Sequence, residues 1–350
     1  MAERLFELPE TKGQFQLSGI VSGTESSRFF DERALKSNPN KMMRMVNFGV
    51  DYNFDKRLFI NMVGIEQDNV YFYSRDKKET KRIGWANRFN FNDDSYRLIG
   101  VNIGVDRRTD PMTGEQENNK KVLTDYDACE EVKLFLKDGQ SVFLRGDLNF
   151  RSYINRNGDK ISSISLVPKQ ISRMNDLDFT NEEYKERSDF NQVIVFMGIN
   201  HEKDDNGKST GRFIVEAKIV TYSTIEDAEF IIKDAKLASM FRKNLKPYNS
   251  IKVSGHMIVE LETDEVEDED SWGEADAMER ISTPVRREFV ITGAKGNTID
   301  RDTYSEENIN AAIVAINNSK KAEKDFNASN DDLNDDWGEA SLDDDDDLDW

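Results

Sequence analysis

Between Tyr71 and Phe91 the chain sets six basic residues and six aromatics in close alternation against only two acidic residues: Tyr71-Phe72-Tyr73-Ser74-Arg75-Asp76-Lys77-Lys78-Glu79-Thr80-Lys81-Arg82-Ile83-Gly84-Trp85-Ala86-Asn87-Arg88-Phe89-Asn90-Phe91. Cations hold phosphates and flat rings stack on bases, so this mixture suits a polyanion with unpaired bases. A second mixture follows, with Phe143, Arg145, Phe150, Arg151, Tyr153, Arg156 and Lys160. The expected contact residues are Tyr71, Tyr73, Arg75, Lys77, Lys78, Lys81, Arg82, Trp85, Arg88 and Phe89 from the first stretch, and Phe143, Arg145, Arg151, Tyr153 and Arg156 from the second. Tyr73, Trp85, Phe89 and Tyr153 are the expected stacking rings. Many of the other aromatics belong in a core.

Bond-breaking chemistry has little to work with. Cys129 is the single cysteine, which excludes an internal disulfide and a cysteine-rich zinc site. The two histidines, His201 and His256, are too few for most metal centres, and neither a GxSxG nor a GxxxxGK[ST] motif is present. No cofactor or metal is expected, and no enzyme. The open enzymatic alternative is a Mg²⁺-dependent nuclease with Asp and Glu ligands, since acidic runs supply carboxylate pairs by chance. No run approaches the roughly 18 apolar residues of a membrane span, and Met1-Ala2-Glu3-Arg4 lacks the apolar segment of a signal peptide. The expectation is a cytoplasmic protein without a membrane partner.

Charge is segregated. The 350 residues carry a formal net charge of −20. Twelve carboxylates lie between Asp325 and Trp350 and eleven between Glu260 and Glu279, in both cases with no Lys or Arg. With those two segments set aside the remainder is +3, so a slightly basic body is concealed by two acidic stretches. Self-repulsion should keep the tail unfolded. A tail meant only for solubility gains nothing from apolar ends, and this one closes on Asp343, Asp344, Asp345, Asp346, Asp347, Leu348, Asp349 and Trp350, which reads as a docking tip for a partner. The pieces Trp272-Gly273-Glu274-Ala275 and Trp337-Gly338-Glu339-Ala340 are either a doubled short motif or a chance likeness between acidic segments.

The elements that must position these residues are mostly strands, read from short apolar or alternating runs broken by Gly, Asn and Asp. They fall near Phe15–Val21, Met43–Asp51, Leu58–Ile65, Val70–Ser74, Tyr96–Val105, Val142–Phe150 and Ser162–Ile171, then near Gln192–Ile199, Phe213–Tyr222, Glu229–Ile232, Ser250–Leu261 and Arg286–Ile291. Helices are expected at Tyr126–Lys137, Ala235–Leu245 and Ser305–Ile316. An internal repeat joins them: Leu136-Lys137-Asp138-Gly139-Gln140-Ser141-Val142-Phe143-Leu144-Arg145-Gly146-Asp147-Leu148 aligns without a gap to Leu245-Lys246-Pro247-Tyr248-Asn249-Ser250-Ile251-Lys252-Val253-Ser254-Gly255-His256-Met257. Each copy follows a strand with a late glycine, Gly19 or Gly198. Strands bent at glycine, with a helix before the penultimate strand, match the five-stranded Greek-key barrel called the OB-fold.

The fold class expected is therefore mainly β: two tandem OB-fold-like five-stranded barrels with few short helices and a disordered acidic C-terminal tail. Residues 1–178 form the first module, with the basic and aromatic region inserted. Residues 186–320 form the second, with an acidic loop at 260–279, and residues 321–350 form the tail. In the first module, alternation puts Phe143, Arg145, Arg151 and Tyr153 on one face and Leu144, Leu148 and Phe150 on the other, until a bulge at Gly146 shifts the register. In the second module, Arg212, Lys218, Tyr222, Lys252, Arg286 and Arg287 are weaker candidates for the same work.

The series Val142-Phe143-Leu144-Arg145-Gly146-Asp147-Leu148, then Arg151-Ser152-Tyr153 and Gly158-Asp159-Lys160, resembles the closing hairpin of bacterial and bacteriophage single-stranded-DNA-binding proteins. The acidic tail with its apolar tip is similar in character to theirs. The resemblance implies sequence-independent binding and protection of single-stranded DNA during replication, recombination or repair, with replication or recombination proteins recruited by the tail. Two barrels in one chain look more like a bacteriophage arrangement, which implies the host cytoplasm. The tip ends in Trp350 rather than Pro-Phe, which points to a phage-encoded partner. The alternatives are an acidic interaction hub or DNA mimic that binds no nucleic acid, and an RNA-binding protein.

Overall fold

A computed structural model of the chain describes residues 4–154, 160–204, 207–261 and 285–330. It divides into two units, one formed by Lys12–Val193 with Val253–His256, the other by the remaining described residues. The expected acidic loop at 260–279 lies almost wholly outside the described residues, and the tip Asp343–Trp350 lies outside them entirely.

The N-terminal unit begins with β1 (Gly13–Ser22), β2 (Phe30–Leu35), β3 (Asn38–Asn53) and β4 (Lys56–Ile65). An insertion follows, made of β5 (Asn69–Ser74), β6 (Glu79–Gly84), a 3-10 turn at Trp85–Asn87, β7 (Arg97–Leu98), β8 (Val101–Gly104), β9 (Arg107–Thr109), β10 (Gln116–Asn118) and β11 (Lys121–Leu123). Helix α1 (Asp125–Phe135), β12 (Ser141–Ile154) and β13 (Lys160–Arg173) complete it. Five of these strands close on themselves. β1 pairs antiparallel with β3 and β12, β3 with β4 and β12 with β13, and a parallel contact at Ile60 and Leu166 joins β4 to β13. That circuit, with its helix between the third and fourth barrel strands, is the OB-fold expected from the sequence. Alternation supplies the core: Phe15 and Leu17 of β1, Ile60 and Met62 of β4, Leu144 of β12 and Ile171 of β13 are all buried.

In the C-terminal unit the circuit recurs through β14 (Arg187–Lys203), β15 (Ser209–Val220), β16 (Ile225–Ile232), β17 (Asn249–Leu261) and β18 (Val285–Asp300), with α2 (Ala235–Asn244) between β16 and β17. Here β14 pairs antiparallel with β15 and β15 with β16, β16 lies parallel to β18, and β17 pairs with both β18 and β14. Helix α3 (Glu306–Asn330) runs well past the expected Ser305–Ile316 and takes in residues 321–330, which the sequence reading gave to the tail. Its buried Ile309, Ala312 and Ile316 pack with Tyr304, Val195 and Val220 and with Phe6 and Leu8 from the start of the chain.

The internal repeat has a physical meaning. Thr124 caps α1, its side chain accepting from the Asp127 N–H, and Asp234 caps α2 by accepting from Lys236. Both helices stop at a buried leucine in extended conformation: the Leu136 N–H donates to Val132 and the Leu245 N–H to Phe241. Each leucine thus seals the barrel where the helix hands the chain to the penultimate strand.

Cys129 lies within α1, fully buried, and burial pushes its thiol up to about 12. Thiolate is the reactive form, so the native protein should leave Cys129 unmodified by Ellman's reagent at pH 8 and react only once unfolded in guanidinium. Stoichiometric release of the chromophore from the folded chain within minutes would contradict this packing.

Candidate nucleic-acid interface

The insertion builds a three-stranded sheet with β5 at its centre, antiparallel to β6 and to β7. Period-2 alternation sorts its side chains. Val70, Phe72 and Ser74 are buried, and Ile83, Trp85, Phe91, Tyr96 and Leu98 pack around Val70 and Phe72. Tyr71 and Tyr73 point the other way, 36% and 39% exposed. In register with them stand Arg82, opposite Tyr71, and Thr80 and Arg97, which flank Tyr73 on either side. Ile99, 59% exposed, donates its N–H to the Tyr71 carbonyl at the same edge. Neither Arg82 nor Arg97 has a carboxylate within ion-pair distance among the described residues. The result is two open rings between two uncompensated guanidinium groups, an arrangement that can stack bases and hold phosphates.

The rest of the first stretch divides. Arg75, Lys77 and Lys78 stand exposed in the β5–β6 turn, where Lys78 takes a left-handed φ of 53°. Lys81 is turned to the covered face: its ammonium lies 4.0 Å from the Tyr96 ring centre and 3.2 Å from Asp93. The Ser95 hydroxyl, followed by Lys81, holds the Asp93 carboxyl down at about 2. Trp85 meets Tyr126 of α1 edge-on at 5.9 Å. Arg88 stacks 4.2 Å from Trp85 while donating to both oxygens of Asp127 at 2.8 and 3.0 Å. Trp85 and Arg88 thus fasten the insertion to α1, and Lys81 closes its core. Phe89, 64% exposed, remains open beside Arg88.

From the second stretch, Phe143, Arg145 and Arg151 project outward from β12, while Leu144, Leu148 and Phe150 are buried. The Arg145 guanidinium donates to Gln14 at 3.3 Å, and Arg187 lies 5.7 Å from the Phe143 ring. The expected bulge is there, but β13 carries it. Arg145 pairs with Gln170 and Gly146 with Pro168, so Lys169 is the extra residue and β12 keeps its alternation throughout. Tyr153 is described in its backbone alone, paired with Ile161, and Arg156 lies outside the described residues.

The sequence reading missed Arg97, which stands beyond the basic stretch in a two-residue strand, and also the outer faces of β3 and β4. There Met45 opposes Val63, Asn47 opposes Asn61 and Gly49 opposes Phe59. In OB-folds the face of these two strands is a binding surface. The period-2 pattern of Leu58–Ile65 was the signal for it. The corresponding face of the C-terminal barrel is different: Glu216 stands directly opposite Glu229, and Lys218 is bound to Asp227 at 2.7 Å. Arg212 is paired with Glu202 and Glu288. Among the described residues no group of His, Cys, Asp and Glu could hold a metal ion, and no helix is long and apolar enough to cross a membrane.

A family model described as YorF matches residues 69–329, about three quarters of the chain. No curated protein matches this chain. Among solved structures, the wild-type single-stranded DNA binding protein from Thermus aquaticus is similar at 10% identity and a TM-score of 0.39, over 82% of this chain and 93% of that one. A deletion mutant of the same protein gives 11% identity and 0.37, over 82% and 94%.

Proposed function

This chain belongs to the YorF family, and we propose that it binds single-stranded DNA without reading its sequence. The observation that carries this reading is the open face of β5, where Tyr71 and Tyr73 lie between Arg82 and Arg97. Rings accept any base, and guanidinium groups accept any phosphate, so such a face has no means of preferring one sequence. Arg75, Lys77 and Lys78 in the adjoining turn extend the cationic track, and Phe89, Phe143, Arg145 and Arg151 are further contacts on this reading. The function is coating and protection of exposed strands in replication, recombination or repair. The acidic tail recruits partner proteins through Leu348 and Trp350, because two apolar residues closing a run of aspartates serve contact rather than solubility.

Fluorescence titration of oligo-dT across a range of salt tests it. The five cations of the β5 face and its turn, Arg75, Lys77, Lys78, Arg82 and Arg97, give a slope of log affinity against log salt of about −3.5, near −0.7 per neutralised phosphate on single strands. Oligonucleotides of different base composition should bind within a few-fold of one another, and duplex DNA more weakly. Equal affinity for single-stranded RNA would widen the reading to both nucleic acids. Absence of binding even at low salt would leave the acidic hub in its place. Removing residues 331–350 spares α3 and takes away a tethered polyanion that competes for the cations, so the truncated chain should bind oligo-dT more tightly at low salt and equally at high salt. Weaker binding after truncation would show that the tail is not a competitor.

A further inference from the structure

A pocket of about 500 Å³ opens in the N-terminal unit, where the β9–β10 hairpin meets the end of β13. Four cations line it, Arg107, Arg108, Lys120 and Arg173, against one carboxylate, Glu117. Glu117 is already engaged by Arg108 at 2.7 Å. Arg107 is fixed by neutral groups: it donates to the Met174 carbonyl at 2.8 Å and to the Asn118 side-chain oxygen at 3.3 Å. The Asn118 amide donates in turn to the Arg173 carbonyl at 2.7 Å. Two arginines are therefore held near each other by amide and carbonyl contacts rather than by a counter-charge.

Arg173 is the telling member. Its Nε is buried and has no hydrogen-bond partner. Burial, then the neighbouring Arg107, pushes its guanidinium below the ordinary arginine value, with Asp176 pulling the other way. The nearby carboxylate of Asp106 accepts from Asn119 at 2.8 Å. An unsatisfied buried donor beside a like charge is unfavourable by itself, and an anion with several acceptor oxygens relieves both defects at once.

We propose that this pocket is a phosphate-binding site, in which Arg107 and Arg173 hold the oxygens and Lys120 stands at the rim. The phosphate comes from a bound strand or from a free anion. The strand source rests on the function proposed above, and the free source does not. None of these residues belongs to the face of Tyr71 and Tyr73, so the site is an addition to that surface.

The test uses the full chain, as wild type, Arg173→Gln and Lys120→Gln. Thermal unfolding is followed as chloride is replaced by inorganic phosphate at constant ionic strength, beside a salt titration with oligo-dT. Phosphate should raise the wild-type Tm by a few degrees, and Arg173→Gln should abolish the rise. If a strand supplies the phosphate, Arg173→Gln also weakens oligo-dT binding several-fold and reduces the salt slope by about 0.7. Lys120→Gln gives smaller losses of the same sign and, lying at the rim, serves should Arg173→Gln fail to fold. A Tm rise lost with oligo-dT binding unchanged assigns the site to free phosphate, and a slope change without a Tm rise assigns it to the strand. A wild type that never binds oligo-dT removes the proposed function while leaving the thermal arm readable. Equal wild-type Tm in both salts, with strand affinity and slope unchanged in both variants, overturns the proposal.

Discussion

Replacing Tyr71 and Tyr73 together with alanine lowers the affinity of the chain for oligo-dT by at least about 30-fold, because each stacked base contributes roughly 1–3 kcal/mol and 1.4 kcal/mol is a factor of ten. Both rings leave β5 on the side away from Val70 and Phe72, so the change removes contact surface without opening the core. Stability should move by less than about 1 kcal/mol in urea unfolding. The salt slope should stay where it was, since no cation is lost. Arg82→Ala or Arg97→Ala does the reverse, with a modest loss of affinity and a slope smaller by about 0.7 each. Trp85→Ala and Arg88→Ala form a third class: these side chains tie the insertion to Tyr126 and Asp127, so they lower the urea midpoint first and affinity only as a consequence. If the double tyrosine variant binds oligo-dT as tightly as the wild type across the salt range, the open face of β5 is not the binding surface.

The barrels were legible because their strands follow period 2 with branched and aromatic residues, and because the repeat carried a buried leucine, a strand and a bent glycine in fixed order. What escaped has identifiable causes. β6 reads Glu79-Thr80-Lys81-Arg82-Ile83-Gly84, too charged to look like a strand, yet Lys81 faces inward there with its ammonium over the Tyr96 ring. Polar character in sequence reads as exposure, and the cation–π contact of Lys81 makes it covering. Lys81, Trp85 and Arg88, expected among the contact residues from their type, are held by tertiary partners: Asp93 and Tyr96, Tyr126, and Asp127. Arg97 shows the converse: nothing local marks a two-residue strand, and only its pairing with Tyr73 brings it to the face. The arginine pocket was invisible for a related reason, since Arg107 and Arg173 are remote in sequence and meet only where the β9–β10 hairpin reaches the end of β13.

Two barrels of one topology need not share one surface. The fold specifies which positions point inward, and it leaves the outward ones to vary. On the C-terminal barrel Glu216 opposes Glu229, and Arg212 and Lys218 are neutralised by Glu202, Glu288 and Asp227. Like charges at directly opposite positions would repel a phosphate chain as they repel each other. On the proposed reading the C-terminal barrel therefore contributes little to strand affinity.

The repeat's paired glycines should separate sharply when each is changed to alanine. Gly19 stays paired with Val142 of β12 and lies where the other edge of β1 passes from β14, last paired at Ser18, to β3, first paired at Ile20; a Cβ there would strike the Asp51 carbonyl oxygen and lie 2.7 Å from a Val50 methyl. The obstructing atoms are largely backbone of the barrel's own second strand, which cannot move without opening the circuit. Gly198 occupies the matching place in β14, next to the register shift after Phe196, but a Cβ there meets only a Glu216 carboxylate oxygen at 3.4 Å, the far end of a flexible side chain. Gly19→Ala should therefore cost about 3 kcal/mol or more, at the upper end of the overpacking range. Gly198→Ala should be neutral or stabilise by up to about 1 kcal/mol, because alanine loses less backbone freedom on folding. Urea unfolding followed by near-ultraviolet circular dichroism measures both. Equal midpoints for the two variants would mean that the bend in β1 does not depend on the missing side chain, and that the tight closure of the N-terminal barrel at this point is wrong.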